Sequence, residues 1–137
     1  MKKKDIALNL PVKVNMRQPP VIVSPSETVV GLMFKMTNEN IGAVVVVDEG
    51  QAVGIITEKD VLERVIMRGK DVYMTKAEDV MSTPLISIEA DRPIKEGWEL
   101  MQKNKIKRLA IMENGVFIGL VTEKRLLEAI VTWGYAM

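Results

Sequence analysis

The sequence predicts an α/β (α+β) fold in which two tandem β-α-β-β-α units pack through their sheets as a pseudo-two-fold pair. When Pro19 is aligned with Pro84, an offset of 65 residues holds without a gap from position 16 to position 66. The turn GIITEKD of residues 54–60 therefore returns as GLVTEKR at residues 119–125. Self-similarity at a fixed period indicates a duplicated structural unit. A lone unit would leave apolar surface uncovered, and a second copy can bury it.

Each copy begins with a short extended segment, Val21–Val23 or Ile86–Ile88, and continues into an amphipathic helix. The apolar residues of these helices follow the i, i+3, i+4, i+7 spacing of one helical face. They are Val29, Leu32, Met33 and Met36 in the first copy, and Ile94, Trp98 and Met101 in the second. Ser26 and Asp91 precede the helices and are predicted to cap them. Pro93 is tolerated in a first helical turn.

The second half of each copy is predicted to be a hairpin followed by another helix. Val44–Val47 forms a buried strand, Asp48-Glu49-Gly50 the turn, and Val53–Ile56 the partner strand. The last helix ends before Gly69. Its predicted apolar face is Val61, Leu62, Val65 and Ile66, matched in the second copy by Leu126, Leu127, Ile130 and Val131. We place the two motifs at residues 10–69 and 76–132.

The composition excludes several classes of chemistry. The 137 residues contain no Cys and no His, which excludes disulfides, thiolate or imidazole catalysis and the usual zinc sites. The net charge of +1 gives no general attraction to nucleic acids or acidic membranes. The basic run Lys2–Lys4 is interpreted as a solvated terminus. No apolar run approaches the length of about 20 residues that spans a bilayer. We expect a soluble, cytoplasmic protein that is not an enzyme.

The unit order, the run IGAVVVVD (residues 41–48) and the turn GIITEKD resemble the CBS domain, and two in tandem resemble a Bateman module. DVMSTPLISI (79–88) and KIKRLAIM (105–112) are similar to the start and middle of a second motif. The resemblance implies a regulatory sensor without a catalytic cofactor. Such a sensor binds AMP, ADP, ATP or S-adenosylmethionine in clefts between the motifs. It forms a homodimer and signals to an unidentified protein partner.

The turn GIITEKD has features that suit a nucleotide. A strand ends at Ile56 and a helix begins at Glu58, where unpaired backbone N–H groups favour an anion. Thr57 offers a hydroxyl to a phosphate or to its own helix, and the two oxygens of Asp60 suit the vicinal hydroxyls of a ribose. The same residues also form a capping box, with Thr57 at the N-cap and Asp60 at N3. The sequence leaves both interpretations open.

Carried over by position, the resemblance assigns one cleft to Asp60 and its neighbours. Its ligand-binding residues would be Thr57, Lys59, Asp60, Ser82, Thr83, Leu85, Ile86, Lys107 and Arg108. Ser82 to Ile86 would flank the base, and the basic pair would meet the phosphates. A second, weaker cleft would use Gln18, Val21, Gly42, Ala43, Thr122, Lys124 and Arg125. Arg125 replaces the ribose acceptor there, and it would meet a phosphate or pair with an acid across a dimer.

Two alternatives remain beside the sensor. The repeat could be a structural dimerisation module with a vestigial cleft. The basic cluster Lys103–Arg108 could also contact nucleic acid. No aromatic residues interleave with it as a single-strand platform requires, so we do not expect nucleic-acid binding. The tail Trp133–Tyr135 would cover an apolar surface or serve a dimer. Trp98 is predicted to pack at a helix interface.

Overall fold

The computed structural model describes residues 2–17 and 19–135, which form two compact units. Residues 20–85 form one unit. Residues 2–17 and Pro19 form the other together with residues 86–135, and we call it the unit of residues 2–17 and 86–135. Each unit contains a three-stranded sheet and helices. The predicted α/β fold class is therefore confirmed. No helix within the described ranges is long and apolar enough to cross a membrane.

The elements follow the predicted order in both copies. In chain order they are α1 (Lys3–Leu8), a 3-10 helix (Val12–Asn15), β1 (Ile22–Val23), α2 (Val29–Asn38), β2 (Ala43–Asp48), β3 (Gln51–Thr57), α3 (Glu58–Val61) with a π-helical extension (Leu62–Ile66), α4 (Ala77–Val80), β4 (Ser87–Glu89), α5 (Ile94–Asn104), β5 (Arg108–Glu113), β6 (Val116–Thr122), and α6 (Glu123–Ile130) with a π-helical extension (Val131–Tyr135).

Both sheets have the same topology. In each, the first strand is parallel to the second and the second is antiparallel to the third. The predicted hairpin turn is present, since Glu49 and Gly50 adopt positive φ angles of 49° and 78°. Asn114 and Gly115 repeat this geometry at 52° and 79°. Two consecutive residues of positive φ match the twist of the flanking strands, which explains why a two-residue turn suffices.

Each unit has its own apolar core. Val29, Leu32 and Met36 of α2 are buried as the periodicity predicted. The predicted face of the last helix is only half correct, because Val61 and Val65 are buried whereas Leu62 is 56% exposed. The exposed apolar residues of the two last helices and their extensions are Leu62, Ile66, Leu127 and Val131. The helix faces of both units therefore keep apolar surface in contact with solvent.

The helix caps differ from the prediction. Thr28, not Ser26, caps α2, and its Oγ1 accepts a hydrogen bond from the Gly31 N–H at 3.2 Å. Ser26 instead lies 3.2 Å from the hydroxyl of Ser24. Asp91 does not cap α5, because Pro93 occupies the N-cap position in an extended conformation. Both helices start later than predicted, so the predicted caps lie too far from the first turn.

Replacement of Thr28 with alanine is expected to lower the free energy of unfolding by about 1 kcal/mol, because the Gly31 N–H loses its acceptor. Ser26→Ala is the matched control, since its hydroxyl contacts no helix N–H group, and it should change stability by less than about 0.5 kcal/mol. Urea denaturation followed by circular dichroism measures both. Equal losses in the two variants would contradict the assignment of the cap.

The two sequence repeats exchange their first segments. Residues 11–17 pair with the second repeat, where Pro11 bridges to Pro93 and Arg17 to Leu120. Residues 76–82 take the equivalent place in the unit of residues 20–85, where Lys76 bridges to Thr28 and Ser82 to Ile55. We call residues 11–17 the N-terminal arm and residues 76–82 the central arm. The motif boundaries at 10–69 and 76–132 stay a prediction.

Candidate functional site

The strand-to-helix corner of residues 57–60 is closed by a capping box. Oδ2 of Asp60 accepts hydrogen bonds from the Thr57 N–H at 2.9 Å and from the Thr57 hydroxyl at 3.0 Å. The Asp60 N–H donates in return to Thr57 Oγ1 at 3.3 Å. The Glu58 N–H donates to the Gly42 carbonyl at 3.1 Å. The capping interpretation is thus correct, and it holds the carboxylate in one orientation.

The second oxygen of Asp60 faces a guanidinium. Oδ1 lies 3.7 Å from Arg64 Nε, and the Asp60 side chain is 15% exposed. Arg64 Nη1 also donates to the carbonyls of Val80 at 2.9 Å and Met81 at 3.3 Å. Arg64 therefore fixes the central arm beside the corner. Sequence reasoning missed this residue, although its i+4 spacing from Asp60 is the signal of a helical ion pair.

Ser82 forms an antiparallel β-bridge with Ile55 of β3. Its N–H donates to the Ile55 carbonyl at 2.9 Å, and the Ile55 N–H donates to the Ser82 carbonyl at 3.2 Å. Gly54 permits this approach, because a Cβ there would lie 2.7 Å from Met81 Sδ and 3.0 Å from the Ser82 carbonyl oxygen. The structure thus brings Thr57, Asp60 and Ser82 into one region.

The equivalent corner in the second repeat has a different arrangement. Thr122 caps α6 by accepting from the Arg125 N–H at 3.1 Å. The Arg125 guanidinium donates to the Asn15 carbonyl at 3.2 Å, and Asn15 Nδ2 donates to the Arg125 carbonyl at 3.0 Å. Asn15 precedes Val80 by the repeat offset of 65 residues. Arg125 therefore binds the Asn15 carbonyl of the N-terminal arm, just as Arg64 binds the equivalent Val80 carbonyl of the central arm. The sequence had suggested a phosphate or an acid across a dimer as the partner of Arg125, and not this carbonyl.

The remaining predicted residues divide between the units. Thr57, Lys59, Asp60, Ser82, Thr83 and Leu85 fold in the unit of residues 20–85, whereas Ile86, Lys107 and Arg108 fold in the other. Of the second predicted set, Val21, Gly42 and Ala43 lie in the first unit, and Thr122, Lys124 and Arg125 in the second. Gln18 lies outside the described residues.

Four residues that the sequence assigned to two separate clefts line one cavity. Lys107, Arg108, Thr122 and Lys124 border a space of about 740 Å³ in the unit of residues 2–17 and 86–135. Trp98 lines the same cavity and is 42% exposed, and its packing at a helix interface stays a prediction. No group of three or more His, Cys, Asp or Glu residues in the described part of the chain could hold a metal ion.

The repeat and its two corners match a known family. A family model described as the CBS domain matches residues 4–66 and residues 77–132. The chain belongs to the CBS-domain family. The corner of Thr57 and Asp60 lies in the first CBS domain, and that of Thr122 and Arg125 lies in the second.

Relatives of this CBS-domain protein occur in archaea, bacteria and plants. An uncharacterized protein of Methanopyrus kandleri is 40% identical over 114 residues, which cover 82% of this chain and 58% of that protein. A CBS domain-containing protein of Bacillus subtilis is 32% identical over 110 residues, covering 80% of this chain and 78% of the relative. A mitochondrial CBS domain-containing protein of Arabidopsis thaliana is also 32% identical, and the chain spans 53% of its length. The chain thus spans little more than half of two of these relatives.

Solved structures share the fold. An uncharacterized conserved protein from Pyrococcus horikoshii superposes with a TM-score of 0.81 and 33% identity, covering 89% of this chain and 92% of that one. A putative signal-transduction protein with CBS domains from Burkholderia ambifaria has a TM-score of 0.80 and 23% identity, covering 88% and 90%. The second comparison supports the fold alone. Tandem CBS domains of this size therefore occur in other proteins.

Proposed function

We propose that this CBS-domain protein is a non-catalytic regulatory sensor of an adenine nucleotide or adenosyl ligand. The candidate ligands are AMP, ADP, ATP and S-adenosylmethionine. The proposal includes a homodimer whose state an unidentified protein partner reads. The observation that supports it most is the oriented carboxylate of Asp60 beside the central arm.

Asp60 is organised before any ligand arrives. Its Oδ2 is used by Thr57 in the capping box, which fixes the side-chain rotamer. Its Oδ1 is 3.7 Å from Arg64 Nε, a separation too long for a hydrogen bond. A carboxylate oxygen has two lone pairs, so Oδ1 keeps acceptor capacity for a ribose hydroxyl. A fixed acceptor costs less entropy on binding than one that must first be ordered.

The other residues of the proposed set have side chains that suit the remaining parts of the ligand. Lys59 is exposed and suits a phosphate, while Ser82, Thr83 and Leu85 suit the base and sugar. The family resemblance adds Ile86, Lys107 and Arg108, and their part in binding stays a prediction. The proposed homodimer is supported by the exposed apolar helix residues Leu62 and Leu127, which are 56% and 61% exposed. Exposed apolar surface of this kind often marks a protein interface.

Titration of the purified protein with AMP, ATP and S-adenosylmethionine tests the sensor. At least one ligand is expected to bind with measurable calorimetric heat and to raise the melting temperature. A ligand present at a hundred times its Kd adds about 2.7 kcal/mol to the free energy of unfolding. The absence of both heat and a thermal shift with all three ligands would count against the proposal.

A structural dimerisation module with a vestigial cleft is the second candidate. One observation favours it, because Thr57 and Asp60 already satisfy each other in the capping box. This candidate predicts a stable dimer in sedimentation experiments and no effect of any adenosyl ligand. Titration with the three ligands therefore separates the two functions.

A further inference from the structure

One guanidinium connects two parts of the proposed adenosyl site in the unit of residues 20–85. Arg64 Nε lies 3.7 Å from Oδ1 of Asp60, the proposed acceptor for the sugar. Arg64 Nη1 donates to the carbonyls of Val80 at 2.9 Å and Met81 at 3.3 Å, directly before Ser82, which suits the base and sugar. Arg64 does not belong to the proposed ligand set, but it contacts residues on both sides of that set.

The two ends of the central arm are fixed by different contacts. At its start, Ala77 and Val80 are buried in the apolar core. Met81 and Ser82, which follow, are only half-buried. This end of the arm depends on the β-bridge of Ser82 to β3 and on the two hydrogen bonds from Arg64. Loss of the Arg64 guanidinium should therefore loosen the end that carries Ser82 and leave the start of the arm in place.

The second repeat holds its arm in a different way. By the repeat offset of 65 residues, the counterpart of Arg64 is Ala129, which is buried. The counterpart of Asp60 is Arg125, whose guanidinium donates to the Asn15 carbonyl at 3.2 Å. The acid that faces Arg64 thus has no counterpart, although the second arm is still held by a guanidinium. The link between Asp60 and the central arm is therefore a feature of the first repeat and not a requirement of the fold.

We propose that Arg64 is a positioning residue through which the adenosyl ligand and the central arm stabilise each other. The inference rests on the proposed function. When Arg64 holds the arm, Asp60 and Ser82 are available to the ligand at the same time, so the ligand binds the ordered arm more tightly than a loose one. Linkage between two equilibria is reciprocal, so a ligand that prefers the ordered arm also stabilises it.

Hydrogen exchange tests the arm without any ligand. In Arg64→Met, the amides of Met81 and Ser82 are expected to exchange about tenfold to a hundredfold faster than in the parent, the factor for the loss of a hydrogen bond to a charged group. The Ala77 amide should keep its protection. Arg68→Met is the matched control, because Arg68 is exposed and lies in the same unit. Unchanged exchange at Met81 and Ser82, or an equal increase at Ala77, would refute the local role of Arg64.

Calorimetry with adenosine, AMP and ATP tests the coupling to the ligand. The affinity of Arg64→Met for AMP is expected to fall about threefold to thirtyfold, the range for residues that modulate binding without touching the ligand. All three ligands should lose affinity by the same factor, because Arg64 acts through the arm. If the parent binds only S-adenosylmethionine, that ligand is compared with adenosine instead. A loss that grows with the number of phosphates would mean that Arg64 binds phosphate directly, and it would overturn the positioning role.

The conservative variant Arg64→Lys distinguishes the contact with the arm from the charge beside Asp60. Lysine keeps the positive charge, but its single ammonium cannot reproduce the separate nitrogens with which a guanidinium reaches the carboxylate and the arm carbonyls at once. Arg64→Lys is therefore expected to bind AMP as weakly as Arg64→Met. Parental affinity in Arg64→Lys would show that the charge alone matters, and the proposal would be wrong.

The outcomes separate this inference from the proposed function. In the parent, AMP is expected to slow hydrogen exchange at Met81 and Ser82, and this protection should be smaller in Arg64→Met. If the parent binds ligand but Arg64→Met binds it equally well, the sensor stands and the coupling is refuted. If the parent binds none of the ligands, the proposed function fails and the coupling fails with it.

Discussion

Replacement of Val12 with aspartate is expected to lower the free energy of unfolding of the unit of residues 2–17 and 86–135 by about 3–5 kcal/mol, the cost of an uncompensated buried charge. Val12 is completely buried in the core of this unit, against residues such as Leu109 and Leu126. An aspartate there would lie among apolar side chains. Its backbone N–H already donates to the Arg92 carbonyl at 2.8 Å, so the arm cannot move away without losing that bond as well.

Urea denaturation followed by tryptophan fluorescence measures this effect, because both tryptophans, Trp98 and Trp133, belong to the same unit. Lys13→Asp is the matched control. Lys13 is the next residue of the same 3-10 helix and is exposed, so its replacement should change stability by less than about 0.5 kcal/mol. If Val12→Asp unfolded at the same urea concentration as the parent, the N-terminal arm would not belong to the core.

The pairing of the N-terminal arm with the second repeat is one part of the fold that the sequence did not predict. A hairpin turn depends on neighbouring residues only. Glu49-Gly50 and Asn114-Gly115 predict it because an acidic or amide residue followed by Gly can adopt the positive φ angles that the turn requires. The arm instead joins its core through contacts between Val12 and residues near position 109, about a hundred positions away. A four-residue 3-10 helix carries no periodicity that could reveal this.

In the candidate site too, the local feature was predicted and the long-range one was not. The capping box of Thr57 and Asp60 is local and was predicted from the spacing of four residues. The role of Arg125 was not, because it depends on a carbonyl 110 positions earlier in the chain. The two repeats hold their arms with guanidinium groups from different helical positions, Arg64 in one and Arg125 in the other. The repeat alignment places Arg125 opposite Asp60. It therefore does not reveal that Arg64 is the residue that does in the first repeat what Arg125 does in the second.

Replacement of Asp60 with alanine is expected to affect both ligand binding and stability. In Asp60→Ala, the loss of a hydrogen bond to a charged group, worth about 1.5–3 kcal/mol, should weaken binding of the adenosyl ligand about tenfold to a hundredfold. The lost cap should also lower the free energy of unfolding by about 1 kcal/mol. Isothermal calorimetry measures the affinity and urea denaturation the stability.

Asp79→Ala separates the two effects. Asp79 occupies the same N3 position of α4, where its Oδ2 accepts from the Lys76 N–H at 3.1 Å, but it is not in the proposed ligand set. Its replacement should reproduce part of the loss of stability and leave affinity unchanged. If both variants bound the ligand as tightly as the parent, Asp60 would be a helix cap and nothing more. A loss of affinity confined to Asp60→Ala would mean that the cap orients the carboxylate for the ligand as well as for the helix.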